Sequence, residues 1–355
     1  MKISTKAFIF LVASFYLSSC ATSFKSGDKS GVFLKDSDFL KQEYEIKQAD
    51  KEPEKELKKE LKKEVKHENT KKIKNVHVKK QNKKSHADIK LQPKKKAEKE
   101  TLKSDDRKKT KKEVEQERLD NLFPEGEMLE LSASFFGVEA GRVQIGIKSD
   151  KLINGSEARH FYALGKTSSL FSLVYKVRDR IESLWSQKLE RPLTLAFDVD
   201  ETKQKYKTRS YFNWKTQSAD YFEEGWHKKK GEYQDKKTWM LPNKGQDIVS
   251  AIFFVRTLPL IVGESYTFNV MEDEKVIETT LKVEKREILN THIGKISSLL
   301  LKPTFKTKGK FKQVGDISIW VTDDKYKQIL RVDSKIKIGT VSAKVLNITR
   351  PHSRL

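Results

Sequence analysis

The chain has 355 residues, 73 lysines and arginines against 50 aspartates and glutamates, and a formal net charge of +23. Its one cysteine excludes an intramolecular disulfide. The charge suits a polyanion, for which nucleic acid, anionic lipids and anionic polysaccharides are the candidates.

The first residues have the pattern of a secretory signal. Lys2 and Lys6 precede an apolar run at 7–16. A run of that length matches the hydrophobic region of a signal peptide, whereas a transmembrane helix needs about 20 apolar residues. We therefore predict a signal peptide at 1–19. Export argues against nucleic acid as the partner of the positive charge and favours the anionic lipids and polysaccharides of a cell envelope.

The residues at the end of this signal are Leu17, Ser18, Ser19 and Cys20. They resemble the lipobox of bacterial lipoproteins, in which the chain is cut before the cysteine and the thiol accepts diacylglycerol. The resemblance implies a lipid anchor on Cys20, and the alternative is a plain secretory signal with a chance cysteine. In Gram-negative lipoproteins an aspartate at the next position is an inner-membrane retention signal, so Ala21 implies the outer membrane, with the domain facing the periplasm.

A charged segment follows the lipobox. Residues 41–120 contain 28 basic and 18 acidic residues but only 16 apolar ones, too few to offset the conformational entropy of folding. We predict a Lys/Glu-rich disordered tether over 20–120, with a short helix at 54–66 where apolar residues recur every fourth position. The tether is interpreted either as a solvated spacer or as a binder of anionic polymers.

From residue 121 the pattern changes to short apolar runs separated by glycine, asparagine and aspartate, which is typical of antiparallel strands. Asn154-Gly155 is the strongest hairpin signal, because both residues tolerate the positive φ angles of a tight turn. The predicted strands are 141–148, 158–164, 193–199, 204–214, 218–227, 232–239, 265–272, 276–288, 292–302, 314–322, 328–335 and 338–348.

Two segments depart from the strand pattern. Residues 246–258 are almost wholly apolar after a candidate cap at Asp247 and end at Pro259, which predicts a buried helix. Residues 168–186 fit both periods, and we predict a short helix leading into a strand. The fold class predicted for 121–355 is therefore mainly β: a strongly curved antiparallel sheet or open β-barrel with one or two helices in its concavity.

Several short motifs in this domain resemble one family. They are PEGE at 124–127, FGVEAG at 136–141, YKVRD at 175–179, QDIVSA at 246–251 with Arg256, and IWVTDD at 319–324. Together they resemble the exported bacterial domain-of-unknown-function family numbered 3108, over about 122–349. The resemblance implies an exported β-rich domain and supplies no established activity.

The sequence offers few catalytic signals. Asp323 and Asp324 are adjacent, and adjacent strand residues point to opposite faces, so a solvated turn is favoured over a carboxylate pair. Asp179 lies between two arginines and is predicted to be an ion-paired strand residue. The histidines are scattered and no phosphate loop or GxSxG motif occurs, so we predict neither a metal site nor a cofactor.

Residues 206–239 interleave aromatic and basic side chains. Such a pattern suits stacking on sugars or anionic head groups, but alternating aromatics in a meander are more often core residues. The core interpretation is favoured. Trp214, Trp226, Tyr211 and Arg256 are nevertheless the candidate ligand-binding residues.

These observations predict an envelope lipoprotein, attached to the membrane by its anchor, whose domain binds or scaffolds a lipid, glycolipid or cell-wall polymer. One alternative is an envelope hydrolase or transferase using Asp179, Asp247 or Asp323 with Arg256, although the sequence does not favour an enzyme. Another is a structural partner in an envelope protein complex. Protein partners and the oligomeric state are left open.

Overall fold

The computed structural model describes residues 46–48, 110–272, 274–307, 310–312, 316–336 and 339–351. One compact unit contains 46–48 and 115–351, and residues 110–114 belong to a second unit. The predicted signal peptide, the lipobox with Cys20, the sorting residue Ala21 and the predicted helix at 54–66 lie outside the described residues.

The described residues form seventeen strands and three helices. The helices are α1 (Lys111–Leu122), α2 (Ser169–Ser172) and α3 (Ser250–Thr257). The strands are β1 (Ile46–Gln48), β2 (Met128–Phe135), β3 (Val138–Ile153), β4 (Ser156–Thr167), β5 (Val177–Ser186), β6 (Arg191–Glu201), β7 (Gln204–Asn213), β8 (Ser218–His227), β9 (Gly231–Met240), β10 (Gln246–Asp247), β11 (Ser265–Glu272), β12 (Lys275–Thr291), β13 (Gly294–Thr307), β14 (Lys310–Lys312), β15 (Asp316–Thr322), β16 (Ile329–Ile336) and β17 (Gly339–Thr349).

The strands form one sheet built from two antiparallel meanders, β2 to β9 and β11 to β17. The meanders join where the last strand, β17, pairs with the first, β2. Short strands supplement them: β1 pairs with the end of β3, β14 with the end of β13, and β10 runs parallel to β11. Among the described residues no ladder joins β9 to β10 or β11, so the sheet is open, and the predicted fold class is confirmed.

Two helices supply side chains to the core of the curved sheet. Phe253 of α3 stacks on Phe161 of β4 with ring centroids 3.9 Å apart. Phe123, which directly follows α1, meets Phe161, Trp185 and Phe253 edge-on at 5.5–6.0 Å. Such edge-to-face contacts are favourable beyond the area they bury. The prediction of one or two helices packed in the concavity is confirmed.

The helix predicted over 246–258 is present but shorter. Gln246 and Asp247 form β10, and α3 begins at Ser250. One carboxylate oxygen of Asp247 accepts hydrogen bonds from the backbone N–H groups of Val249 and Ser250, at 2.8 and 2.7 Å. Because the aspartate binds the backbone in this way, it holds a turn before the helix rather than entering it.

The segment 168–186 contains a short helix, α2, followed by β5, as predicted. The side chains of Leu170, Leu173 and Val174 are exposed, although their helical spacing suggested a packed face. Helix α2 contains no buried residue. Its apolar side chains therefore contribute nothing to the core.

Two elements lie in the region assigned to the tether. Strand β1 pairs with β3, and α1 crosses the predicted boundary at 120. Leu119, Leu122 and Phe123 are buried in the main core cluster. Leu122 and Phe123 lie three and four positions after Leu119, so the three side chains share one face at the end of α1.

The hairpin signal at Asn154-Gly155 is confirmed, since both residues have positive φ and join β3 to β4. Most predicted strands match observed ones within a few residues, whereas β2 was not predicted. No helix in the described part of the chain is long and apolar enough to cross a membrane.

Candidate functional site

A groove of about 650 Å³ crosses the strands β13, β15, β16, β17 and β2. It lies on the sheet face opposite the helices, because Leu330 and Val345 point into the core while their neighbours Arg331 and Lys344 line the groove. The lining residues are Ser134, Phe136, Gly137, Lys302, Asp316, Ser318, Trp320, Arg331, Asp333, Lys335, Thr340, Ser342 and Lys344.

Strand register assembles the groove in cross-strand rows. Trp320 of β15 lies opposite Arg331 of β16, which lies opposite Lys344 of β17. This row therefore places an aromatic ring beside two cations on one surface. The adjacent row consists of Ser318, Asp333, Ser342 and Ser134.

The side chains of the first row are held in place by their neighbours. The Arg331 guanidinium lies over the Trp320 ring, 5.0 Å from its centroid. Asp333 fixes that guanidinium through contacts of 2.8 Å from Nε and 2.6 Å from Nη2. Trp320 Nε1 donates to Glu287 Oε1 at 2.8 Å. The ring and the cation are thus oriented before any ligand arrives, which lowers the entropic cost of binding.

The groove is positively charged on balance. Its lining includes four cations and two carboxylates, namely Lys302, Arg331, Lys335 and Lys344 against Asp316 and Asp333. The hydrogen bond from Lys302, 2.8 Å from Nζ to Oδ1, holds the pKa of Asp316 below its usual range, so that this carboxyl stays ionised. Lys335 contacts the same carboxylate at 3.3 Å.

Phe136 closes one end of the groove and is itself exposed. It occupies the turn between β2 and β3 with φ of 51°, a conformation that is uncommon for a residue other than glycine. Its ring lies against Phe135, with centroids 4.4 Å apart. The groove therefore has an exposed aromatic ring at this end and the half-buried ring of Trp320 along its floor.

The four predicted ligand-binding residues do not line this groove. Tyr211 is buried on β7, and Trp214 donates from Nε1 to the carbonyl of Pro192 at 2.7 Å. Trp226 is exposed near the far end of β8. Their role in binding remains a prediction.

Arg256, the fourth of them, is buried inside the concavity. Its Nη1 and Nη2 contact the Glu127 carboxylate at 2.5 and 3.1 Å, and Nη2 also donates to the carbonyl of Leu122 at 2.6 Å. Arg350 binds the same carboxylate at 2.6 Å. The guanidinium therefore joins α3 to the end of α1.

The basic and aromatic stretch at 206–239 mostly contributes to the core. Tyr206, Phe212 and Tyr221 are buried, and several larger rings pack partly against the core. On β7, Lys205 and Lys207 alternate with the buried residues and are exposed. The arrangement favours the core interpretation for most of this stretch.

Asp179 is not the ion-paired strand residue that was predicted. Arg178 and Arg180 point to the outer face of β5 and pair with Asp200 and Glu182, because neighbouring strand residues alternate between faces. Asp179 points inward. Burial, followed by the charge of Glu201, raises the pKa of Asp179 to about 8.

Glu201 lies beside Asp179 and is also buried. Tyr175 Oη and Gln204 Nε2 both donate to Glu201 Oε2, at 2.7 and 2.8 Å. Two adjacent buried carboxyl groups repel each other when both are ionised, so the pair more readily carries a single negative charge. Asp179 therefore holds the proton at neutral pH.

The other two carboxyls named for catalysis lie elsewhere. Asp247 is buried at the start of α3, where burial raises its pKa to about 6. Asp323 is bound by Arg286 and lies at a second cavity of about 510 Å³. Asp324 accepts backbone hydrogen bonds from Tyr326 and Lys327, which confirms the predicted turn.

These carboxyls do not converge on Arg256. No group of three or more histidine, cysteine, aspartate or glutamate side chains in the described part of the chain is placed to hold a metal ion.

Residues 130–345 match a family described as protein of unknown function DUF3108. The chain belongs to this family. No curated protein matches the chain.

Similar solved structures include three proteins. A β-barrel-like protein of the domain of unknown function DUF1849 from Brucella abortus is 8% identical, with a TM-score of 0.42 over 64% of this chain and 98% of that one. A protein from Bacteroides fragilis, described as exported with a YmcC-like fold, is 6% identical, with a TM-score of 0.28 over 64% and 97%. A protein from Parabacteroides distasonis, described as a lipoprotein, is 8% identical, with a TM-score of 0.28 over 64% and 98%.

Proposed function

We propose that this chain is an outer-membrane lipoprotein whose β domain faces the periplasm and binds an anionic sugar polymer of the cell envelope in the groove. The observation that supports it most directly is the row formed by Trp320, Arg331 and Lys344. An aromatic ring, a fixed guanidinium and an exposed ammonium group are the components that sugar rings and their acidic substituents require.

Each component has a defined task in this proposal. A sugar ring packs against the stacked pair of Trp320 and Arg331, while hydroxyl groups of the second row, such as Ser318 and Ser342, exchange hydrogen bonds with sugar hydroxyls. Lys335 and Lys344 attract carboxylate or phosphate substituents. An open groove across five strands suits an extended polymer, whereas compact ligands usually occupy enclosed cavities.

The catalytic alternative has less support. Asp247 is enclosed at the start of α3, Asp323 is held by Arg286, and Arg256 is committed to Glu127. General acid–base catalysis requires such groups to meet around one reacting bond. Their separation favours binding over chemistry.

The anchor proposal is tested by fractionation of cells. The Cys20→Ala chain should move from the membrane fraction to the soluble periplasmic fraction, because two or three acyl chains supply the durable attachment. A Cys20→Ala chain that still sediments with outer membranes would exclude the lipid anchor as the attachment.

The groove is tested with the mature Cys20→Ser chain, which is not acylated, and purified peptidoglycan sacculi. We expect Lys335→Glu/Lys344→Glu to weaken cosedimentation by about thirtyfold, since each of the two lysines near an anionic surface contributes roughly 1 kcal/mol. The matched control is Lys207→Glu/Lys295→Glu, which changes the net charge equally at exposed positions outside the groove.

Two outcomes would contradict the groove proposal. Equal losses in both double variants would show that net charge alone, including that of the basic tether, attracts the polymer. Unchanged binding by Ser342→Tyr, which fills the groove without altering charge, would show that the polymer does not enter it.

A further inference from the structure

One end of the sheet exposes five apolar side chains, which we call the apolar tip: Phe136, Val138, Leu170, Leu173 and Val174. They belong to two neighbouring connections, the β2–β3 turn and the β4–β5 segment with α2. The backbone N–H of Ser168 donates to the carbonyl of Ala140 at 2.8 Å, and this bond ties the two connections together. The tip is therefore one local feature of the surface.

The exposure of this tip is extreme at α2, where Leu173 and Val174 are 83% and 84% exposed. The helix is nonetheless well formed at its start, where Ser168 Oγ accepts from the backbone N–H of Phe171. An ordered turn that projects large apolar side chains into water has no role in the core. Contiguous exposed apolar groups of this kind mark surfaces that contact a partner or a membrane.

Lysines lie along the same end of the sheet, on the side of the tip towards β9. The β6–β7 turn is bonded to the β4–β5 segment through Thr202 N and the carbonyl of Lys176, at 3.1 Å. The β8–β9 turn is bonded in turn to the carbonyl of Lys203 by Lys228 N, at 2.9 Å. Neighbouring strands lie about 5 Å apart, so these turns share one end of the sheet. Six lysines occupy this end: Lys166, Lys176, Lys203, Lys228, Lys229 and Lys230.

Trp226 adds an aromatic residue to the same end. It lies one residue before the end of β8, pairs with Lys205 and Glu232, and is 39% exposed. Tryptophan is favoured where one side of a ring is apolar and its N–H remains wet, as at a membrane interface. Trp226, one of the predicted ligand-binding residues, therefore lies at this end of the sheet and does not line the groove.

We infer that this end of the sheet docks on an anionic phospholipid bilayer, inserting the apolar tip among the head groups while the lysines contact lipid phosphates. Charge complementarity identifies the occupant, because apolar residues on separate turns interleaved with lysines match an interfacial surface. This docking surface is separate from the groove except at Phe136, and its existence does not depend on what the groove binds.

The test uses the Cys20→Ser mature chain, which contains no other cysteine. Leu173→Cys then provides a unique thiol for an environment-sensitive fluorophore, and Ile288→Cys, which replaces a side chain that is 64% exposed, is the control. With vesicles of phosphatidylcholine and phosphatidylglycerol, the probe at 173 should shift to the blue and the probe at 288 should not. If vesicles shift the emission of the two probes equally, or shift neither, the proposal is overturned.

Cosedimentation separates tip insertion from attraction by the basic tether. Leu173→Asp/Val174→Asp should reduce vesicle binding by about tenfold, while Ile288→Asp/Met240→Asp, with the same added charge, should change it much less. Raising the salt concentration should weaken binding of the parent chain without removing the difference between the two variants. Equal binding by the two variants would exclude docking through the tip.

Binding to peptidoglycan distinguishes this proposal from the groove proposal. The tip variant should bind sacculi as the parent does, and Lys335→Glu/Lys344→Glu should keep the blue shift at 173. If Leu173→Asp/Val174→Asp no longer binds sacculi, the assignment of the tip to lipid is overturned.

Discussion

Two of the regions that bury acidic side chains neutralise them in different ways. Glu127, beside α1 and α3, is bound by two arginines, Arg256 and Arg350. Asp179 and Glu201, on β5 and β6, have hydroxyl and amide partners, and the raised pKa of Asp179 shows that a proton replaces the missing cation. A carboxyl group leaves water at low cost only if a countercharge, a proton or hydrogen-bond donors accompany it.

The two ways of neutralising buried carboxyl groups respond differently to pH. The arginines at Glu127 keep their charge at all physiological pH values, so that region is stabilised by a fixed ion pair. The carboxyl pair becomes less favourable as its proton is released at rising pH. The contrast can be tested by replacing Arg256 in one region and by replacing Asp179, in the other, with a side chain that does not titrate.

The largest expected effect comes from Arg256→Met. This change leaves Glu127 in a buried position with Arg350 as its remaining cation, and we expect the free energy of unfolding to fall by about 3 kcal/mol. Urea denaturation of the mature chain measures it. Arg180→Met, at a half-exposed ion pair, is the matched control and should cost about 1 kcal/mol or less.

A double variant sharpens this prediction. Glu127→Gln/Arg256→Met removes both charges and should be more stable than Arg256→Met alone, because no uncompensated carboxylate remains. If the double variant is no more stable, Arg256 acts through packing against Phe123 and Phe253 rather than through its charge.

The second effect depends on pH. The folded pKa of Asp179, about 8, exceeds the ordinary value of 3.8, so the folded state binds the proton more tightly. Stability contributed by this group is fully present below about pH 4 and is lost as pH rises towards 8. Asp179→Asn cannot titrate, and it should therefore gain stability relative to the parent as pH rises between those limits.

Urea denaturation at pH 5 and pH 8.5 measures the change in that difference. Asp198→Asn, an exposed position on the outer face of the neighbouring strand, is the control for charge alone. A constant difference between Asp179→Asn and the parent at both pH values would show that the pair does not hold a proton in this range.

The smallest effect concerns Ser183, whose Oγ donates to Asp247 Oδ2 at 2.5 Å. Ser183→Ala removes a donor that favours the charged carboxylate, so it should destabilise the fold by about 1 kcal/mol above pH 6 and by less below it. Ser334→Ala is the control, because its buried Oγ has no hydrogen-bond partner among the described residues. Equal costs for the two serines, independent of pH, would contradict the assigned role.

Much of the fold could be predicted because its signals are local. Asn154-Gly155 encodes a hairpin by itself, and the strands at 218–227 and 265–272 have the predicted bounds. The start of α3 was misplaced because Asp247 can either cap a helix or hold a turn before it. Only its tertiary contact with Ser183 distinguishes the two.

The candidate site could not be predicted in the same way. Trp320, Arg331 and Lys344 come from three strands, and only the register of those strands aligns them. A usable signal was present, because polar residues alternate with apolar ones along 316–321 and 341–345. The aromatic stretch at 206–239 suggests a binding surface because its rings are close in sequence, yet most of these rings are in the core.

The pairing of β17 with β2 has a consequence for how the chain reaches its native state. Within each meander, neighbouring strands are joined by hairpins or short connections and can associate as soon as both exist. The two meanders join through β2 and the last described strand, whose paired residues Phe135 and Val341 are more than 200 positions apart. The sheet is therefore completed last along this seam. Until β17 arrives, one edge of β2 remains unpaired, and a chain that stops short of β17 would present that edge to other strands.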